Sequence, residues 1–296
     1  MKIIRVDKQR PSPSLKLFAI LLVGINFVYS FQIVTTIDSL GMIARSVFPG
    51  AQVKVLIPPY TSPLIWKPSP NDVATSLKAD IFLQTAHWPF EVQIAEKRLE
   101  QGKESVPQIT TFSNPVIQLM SHGFVILSVA NVGLNPHGWW LYVPNVELIM
   151  SKMVSIACKI EPSKCNMYVN NLKTEFHNIE SILVQCIPRT RGLRVITMVP
   201  GETYPVLNFG VNVVHVVQTK GVHTSLTELS KVKKLLKGVD AIVVSEFSEK
   251  LPITKIVLKE AKKLDVPVIK INILWETPST FSNYLRDVCD QLLKVK

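Results

Sequence analysis

Between residues 163 and 186 the chain reads as one unbroken amphipathic helix. Met167, Leu172, Phe176, Ile179, Ile182 and Leu183 keep helical spacing, and the opposite face stays polar. No run of Gly, Ser or Pro interrupts it to make a flexible linker. The same alternation lies on either side. Short segments rich in Val, Ile and Thr, at residues 32–37, 52–57, 81–84 and 108–112, are separated by amphipathic stretches at 39–48, 71–77 and 89–100. Beyond the long helix, residues 195–199, 213–217, 241–245 and 266–271 repeat the pattern, with helices near 227–237, 253–263 and 279–294. Ser225-Leu226-Thr227-Glu228 reads as a capping box opening the first of these, and Gly238 ends it. Strands alternating with helices form parallel sheets. The expected fold is therefore α/β: two lobes, each a parallel sheet with flanking helices, joined by one long rigid backbone helix. The expected boundaries are 31–160 for the N-terminal lobe, 161–187 for the inter-lobe helix and 188–296 for the C-terminal lobe. A single stiff helix crossing both lobes leaves little room for hinge closure.

A chain of 296 residues, 47% hydrophobic and 19% charged, can bury two modest cores. Its formal charge is +11, but residues 1–16 hold five cations against Asp7, which leaves +7 for the rest. Those lysines sit beside the apolar stripes of the later helices, on a solvated face. No basic and aromatic residues interleave there, so no nucleic-acid partner is implied. The apolar run 17–30, flanked by cations on one side only, has the pattern of an export signal or an N-terminal membrane anchor. Either places the remainder outside the cytoplasm, secreted or anchored. Cys158, Cys165, Cys186 and Cys289 lack C-x-x-C spacing, which argues against zinc-knuckle or thioredoxin-type sites. A Cys158–Cys165 bridge across the Glu161-Pro162 turn and buried free thiols both remain open.

Ligands of open parallel sheets bind beyond the carboxyl ends of the strands. Here those loops are residues 58–70, 85–89, 200–205, 246–248 and 272–278, with 134–141 leading to the long helix. All five tryptophans, Trp66, Trp88, Trp139, Trp140 and Trp275, fall in these segments, as do Tyr60 and Tyr204. They read either as plugs at the ends of the sheets or as the walls of an aromatic cleft for an organic ligand, a chelate or a cation. No G-x-S-x-G, P-loop or G-x-G-x-x-G occurs, and no paired carboxylate spacing suggests acid and base roles, so an enzyme is not expected. His215, within an apolar run, reads as a core histidine.

Several motifs, in order, resemble the zinc- and manganese-type solute-binding proteins of ABC importers. The turn Leu134-Asn135-Pro136-His137-Gly138-Trp139-Trp140-Leu141 precedes a helix that runs through Glu161-Pro162 and Tyr168-Val169-Asn170-Asn171. The loop from Ile57-Pro58-Pro59-Tyr60 to Lys67-Pro68-Ser69-Pro70-Asn71-Asp72 looks like that family's proline-rich first-ligand loop. Ala79-Asp80-Ile81-Phe82 resembles the following strand, and Glu91 falls where the family often has Glu. Phe209-Gly210-Val211 and Ala241-Ile242-Val243-Val244-Ser245-Glu246 resemble its later elements. The resemblance covers most of the chain after residue 31. It implies a helical-backbone metal receptor, a zinc or manganese cargo, and permease and ATPase subunits as partners, with His137 a metal ligand.

The ligand positions depart from that pattern. Leu64 stands at the first His position, Val199 or Pro200 at the third, and Asn272 where the family has Asp; only His137 persists. One imidazole and a neutral amide cannot hold a divalent ion tightly, since no anion offsets its charge. His87, Glu202, His223 and Glu246 are the candidate replacements. Three functions compete: a metal receptor using His137, His87, Glu202 and Glu246; the same scaffold holding an organic or chelated ligand among Trp66, Trp88, Trp139, Trp140, Tyr204 and Asn272; and a membrane-anchored interaction protein that has lost its ligand.

Overall fold

The computed structural model describes residues 31–111, 113–218 and 226–295. The expectations for residues 1–30, His223 and the capping residue Ser225 lie outside them. Among the described residues no helix is long and apolar enough to cross a membrane.

The first β-branched runs become β1 (Gln32–Thr35), β2 (Gln52–Val55) and β3 (Ile81–Leu83), joined by helices α1 (Asp38–Val47) and α2 (Pro70–Lys78). Helix α3 (Pro89–Glu100) leads to β4 (Ser105–Val106), and the parallel sheet has the order β2-β1-β3-β4. The strand expected at 108–112 instead occupies Ser105–Val106. Pro107 has no N–H to continue the ladder, and the Gln84 side chain donates to the Pro107 and Ile109 carbonyls instead. Buried Arg98 of α3 donates to the Ser76, Ala79, Asp80 and Glu104 carbonyls, closing the end of α2 against β4.

A short helix α4 (Pro115–Ser121) and an antiparallel pair, β5 (Ser128–Val129) with β6 (Gly133–Leu134), lead to helix α5 (Val143–Ile160). The long helix is α6 (Cys165–Thr190). The expectation of one helix running through Glu161-Pro162 is corrected here. Proline lacks the N–H that a continuing helix requires, so α5 ends at Ile160 and a 3-10 turn, Pro162–Lys164, separates it from α6. A Cys158–Cys165 disulfide ties the two helices across that turn, and Cys186–Cys289 is bridged as well. The apolar stripe of α6 starts at Tyr168 rather than Met167, which is half exposed.

After α6 come β7 (Arg194–Thr197), α7 (Thr203–Leu207), β8 (Asn212–Val216), α8 (Leu226–Leu235), β9 (Ala241–Ser245), α9 (Pro252–Lys263), β10 (Val268–Ile271) and α10 (Phe281–Leu293). Their parallel sheet runs β10-β9-β7-β8, which from the other edge repeats the order of the first sheet. His215 is buried on β8 and pairs with Glu228 of α8.

Helix α6 packs on both halves. Tyr168 lies between Phe31 and Phe48, and Asn171 donates to the Val47 carbonyl at the end of α1. Farther along, buried Glu175 accepts from Ser282 N (2.7 Å) and Ser282 Oγ (2.9 Å) at the start of α10, and Cys186 is bridged to Cys289 in the later turns of that helix. The halves also meet directly: Asp38 accepts from Thr277 N and Oγ1, and Ser39 N donates to the Leu274 carbonyl. One apolar cluster consequently runs from Phe31 to Leu292, while a smaller one lies under α8 and α9.

Candidate functional site

The loops leaving β2, β3, β7, β8, β9 and β10 border a cleft of about 320 Å³ at the carboxyl ends of both sheets. Two imidazoles stand in it. His87 follows β3 and His137 lies in the turn before α5; their ring centroids are 4.5 Å apart, edge to face. Trp88, Trp140, Leu64, Phe247, Leu251, Ile273 and Leu274 supply apolar walls, with Gln218 a polar contribution from the end of β8.

Each histidine is held by a local device. Pro89 opens α3, and the buried Glu91 carboxylate reaches back to accept from Thr85 N (2.8 Å), Thr85 Oγ1 (2.8 Å), His87 N (2.8 Å) and Trp88 N (3.1 Å). This rigidifies the loop that presents His87. In the other turn, buried Asn135 accepts from His137 N and donates to the Pro200 carbonyl and Thr203 Oγ1, each at 2.9 Å. Gly138 has φ +82°, and a Cβ there would stand 2.6 Å from the Gly201 carbonyl. Only glycine lets the His137 turn seat directly on the loop after β7.

Burial lowers the His87 pKa to about 4, with the neighbouring His137 adding to the effect. His137 sits nearer solvent, yet the surrounding walls still desolvate it and depress its pKa. Both rings are therefore neutral near pH 7, with lone pairs available for a metal ion.

The proposed carboxylate ligands are occupied elsewhere. Glu202 is fully buried; it accepts from Met198 N (2.6 Å), Val199 N (3.1 Å) and Ser245 Oγ (2.7 Å), and burial raises its pKa to about 7. Glu246 accepts from the backbone N–H of Ile273, Leu274 and Trp275, and burial raises its pKa too. Val199-Pro200-Gly201-Glu202 thus repeats the device of Trp88-Pro89-Phe90-Glu91. In both, a carboxylate three residues into a turn binds amides behind it. Among the described residues no group of three or more His, Cys, Asp or Glu side chains is placed to hold a metal.

The aromatic expectations divide. Trp88 and Trp140 line the cleft, and Trp140 Nε1 donates to Ser39 Oγ. Trp139 is fully buried beside Phe124 with its Nε1 on the Thr85 carbonyl, so it supports the His87 loop from behind. Trp66 packs edge-on against Phe90, outside the cleft lining. Tyr204 is buried, its hydroxyl donating to Asn135 O and accepting from Leu127 N. Asn272 donates to the Glu276 carbonyl and borders a different depression. Sequence reasoning missed Gln218, Phe247, Leu251, Ile273 and Leu274. Their positions just past β8, β9 and β10 were the available signal.

Two like-ordered parallel sheets, a cleft at their carboxyl ends and one long helix packed on both form the helical-backbone architecture that the sequence resemblance implied. The family model described as zinc-uptake complex component A, periplasmic, matches residues 33–294, and the chain belongs to that family. The solute-binding protein FpvC of Pseudomonas aeruginosa in complex with Mn2+ is 18% identical, with TM-score 0.66, covering 90% of this chain and 97% of that one. A crystal structure of ZnuA is 16% identical with TM-score 0.64, covering 90% and 98%. A Cd-bound periplasmic metal-binding protein of Candidatus Liberibacter asiaticus is 13% identical, also with TM-score 0.64, covering 89% and 98%. No curated protein sequence matches.

Proposed function

We propose that the chain is the extracytoplasmic solute-binding protein of an ABC importer and receives a zinc- or manganese-like transition-metal cargo between His87 and His137. The observation that carries this is the facing pair of imidazoles in the cleft. Imidazole nitrogen is a good donor to such ions, and two rings in contact can share one ion. Membership of a periplasmic zinc-uptake family supports the compartment and the permease and ATPase partners. Two disulfides suit an oxidising environment. Residues 1–30 would serve as export signal or anchor, and residues 31–160 and 188–296 as the lobes on either side of the helix at 161–187.

Titrating the full chain with zinc or manganese, alone and with a small carboxylate chelator, with fluorescence and elemental analysis as readouts, tests the reading. One equivalent of metal should bind and be lost in His87→Ala and in His137→Ala, while the circular dichroism stays unchanged. Absence of bound metal in the wild type under every condition would sink the idea. A second reading, an organic ligand without metal, draws on the apolar walls around Trp88 and Trp140. Ligand-dependent quenching that survives loss of both histidines would favour it.

A further inference from the structure

The family's usual cargo, a bare divalent ion, fits this donor set poorly. Such ions take four or more donors, and charged ones offset the ion's own charge. The cleft offers two neutral imidazoles. The three carboxylates in its loops, Glu91 and Glu202 buried and Glu246 partly so, are engaged by nearby protein donors: Glu91 holds four, while Glu202 and Glu246 hold three each. Turning any of them toward an ion would abandon those donors in the interior. A dication seated between His87 and His137 alone would keep its charge in an apolar cleft, which is strongly disfavoured.

The space points the same way. At about 320 Å³ the cleft falls within the range of small organic ligand sites, roughly 300–1,000 Å³. A naked ion would leave most of it empty. The rest of the lining includes carbon surface from Leu64, Phe247, Leu251 and Leu274, suited to an organic skeleton.

Resting on the metal-receptor reading, we infer that the cargo is a transition metal already complexed by a small carboxylate chelator. The chelator supplies the anionic donors this chain lacks, and His87 and His137 complete the coordination.

The experiment titrates the full chain with zinc sulfate alone, zinc with excess citrate, zinc with excess histidine, and each carboxylate without metal. A receptor for bare ions loses apparent affinity when a chelator competes; a receptor for the complex gains it. At least one carboxylate should tighten zinc binding tenfold or more, and native mass spectrometry should show chain, zinc and carboxylate together. Weakening by both carboxylates, with bare zinc still bound through the two histidines, overturns the inference and leaves the metal-receptor reading standing. No zinc in any arm overturns both. A carboxylate bound equally well without zinc removes the metal from the account. Leu64→His offers an independent check, because Leu64 lines the cleft yet is 74% exposed, so a ring there does not disturb the core. It should raise the affinity for bare zinc at least tenfold and abolish the carboxylate effect. Unchanged bare-zinc affinity would show that missing donors are not what limits the site.

Discussion

Glu202 lies fully buried against the turn that lines the cleft, and its proton links the site to the stability of the fold. Burial outweighs its three hydrogen bonds and lifts its pKa from the usual 4.5 to about 7. Between those values the folded chain keeps a proton that the unfolded chain has released, so stability falls as pH rises through the window. At 1.36 kcal/mol per pH unit, the gap corresponds to about 3 kcal/mol lost between pH 4.5 and pH 8. Glu202→Gln carries no charge at any pH, and its amide oxygen can still accept from Met198 N and Val199 N. Urea denaturation of both proteins at pH 5.5, 6.5 and 8 isolates the effect, because subtracting the variant cancels the other titrating groups. The variant should lie within about 1 kcal/mol of wild type at pH 5.5 and gain about 2–3 kcal/mol on it by pH 8. A difference that stays constant across this range refutes the reasoning. Glu202→Ala strands three donors instead and should cost at least about 3 kcal/mol at pH 5.5, a cost that shrinks toward pH 8 as the wild type itself loses stability.

Further outcomes follow from the same structure. Gly138→Ala forces a methyl into the Gly201 carbonyl, so it should lower cargo affinity at least tenfold and reduce the melting temperature; a neutral result would mean the turn does not seat as described. The Cys186–Cys289 bridge spans 103 residues and Cys158–Cys165 only seven. Chain-entropy arguments give about 4–5 and about 2–3 kcal/mol respectively. Replacing each pair with alanine and measuring denaturation should reproduce that ranking, and the reverse order would contradict it. Because the His87 pKa is depressed to about 4, protons should not compete for that ring until well below the ordinary 6.5. Burial depresses the His137 pKa as well, so zinc uptake measured from pH 7.5 to 5 should fall at a lower pH than an ordinary imidazole would give, whereas a steep loss near 6.5 would show ordinary, solvated histidines.

The alternation of strands and helices was legible because β-branched runs and amphipathic stretches differ in period, and most elements fall within two or three residues of expectation. Helix α5 was merged with α6 because Glu161-Pro162 was taken inside a helix, although Pro162 marks the break. At the site, His87 and His137 come together as the loop positions suggested. Glu202 and Glu246 do not join them. A Glu after a strand end reads equally as a ligand or as a backbone cap, and the X-Pro-x-Glu spacing shared by residues 88–91 and 199–202 favoured the cap. Trp139 and Tyr204 looked like ligand contacts because they sit in loops, but each spends its polar atom on a backbone partner. The apolar walls were the least legible part, because isolated residues such as Phe247 and Leu274 carry no pattern until the second sheet sets them opposite the first.

The central claim is that two histidines, with no carboxylate of the protein, hold the cargo metal. X-ray absorption at the zinc edge of the loaded full chain tests it most directly. The spectrum should show two imidazole ligands, with the remaining light-atom donors exchanging when the carboxylate in the buffer is changed. Three or more imidazoles, or a coordination shell indifferent to both that carboxylate and the loss of His87 and His137, would contradict the account.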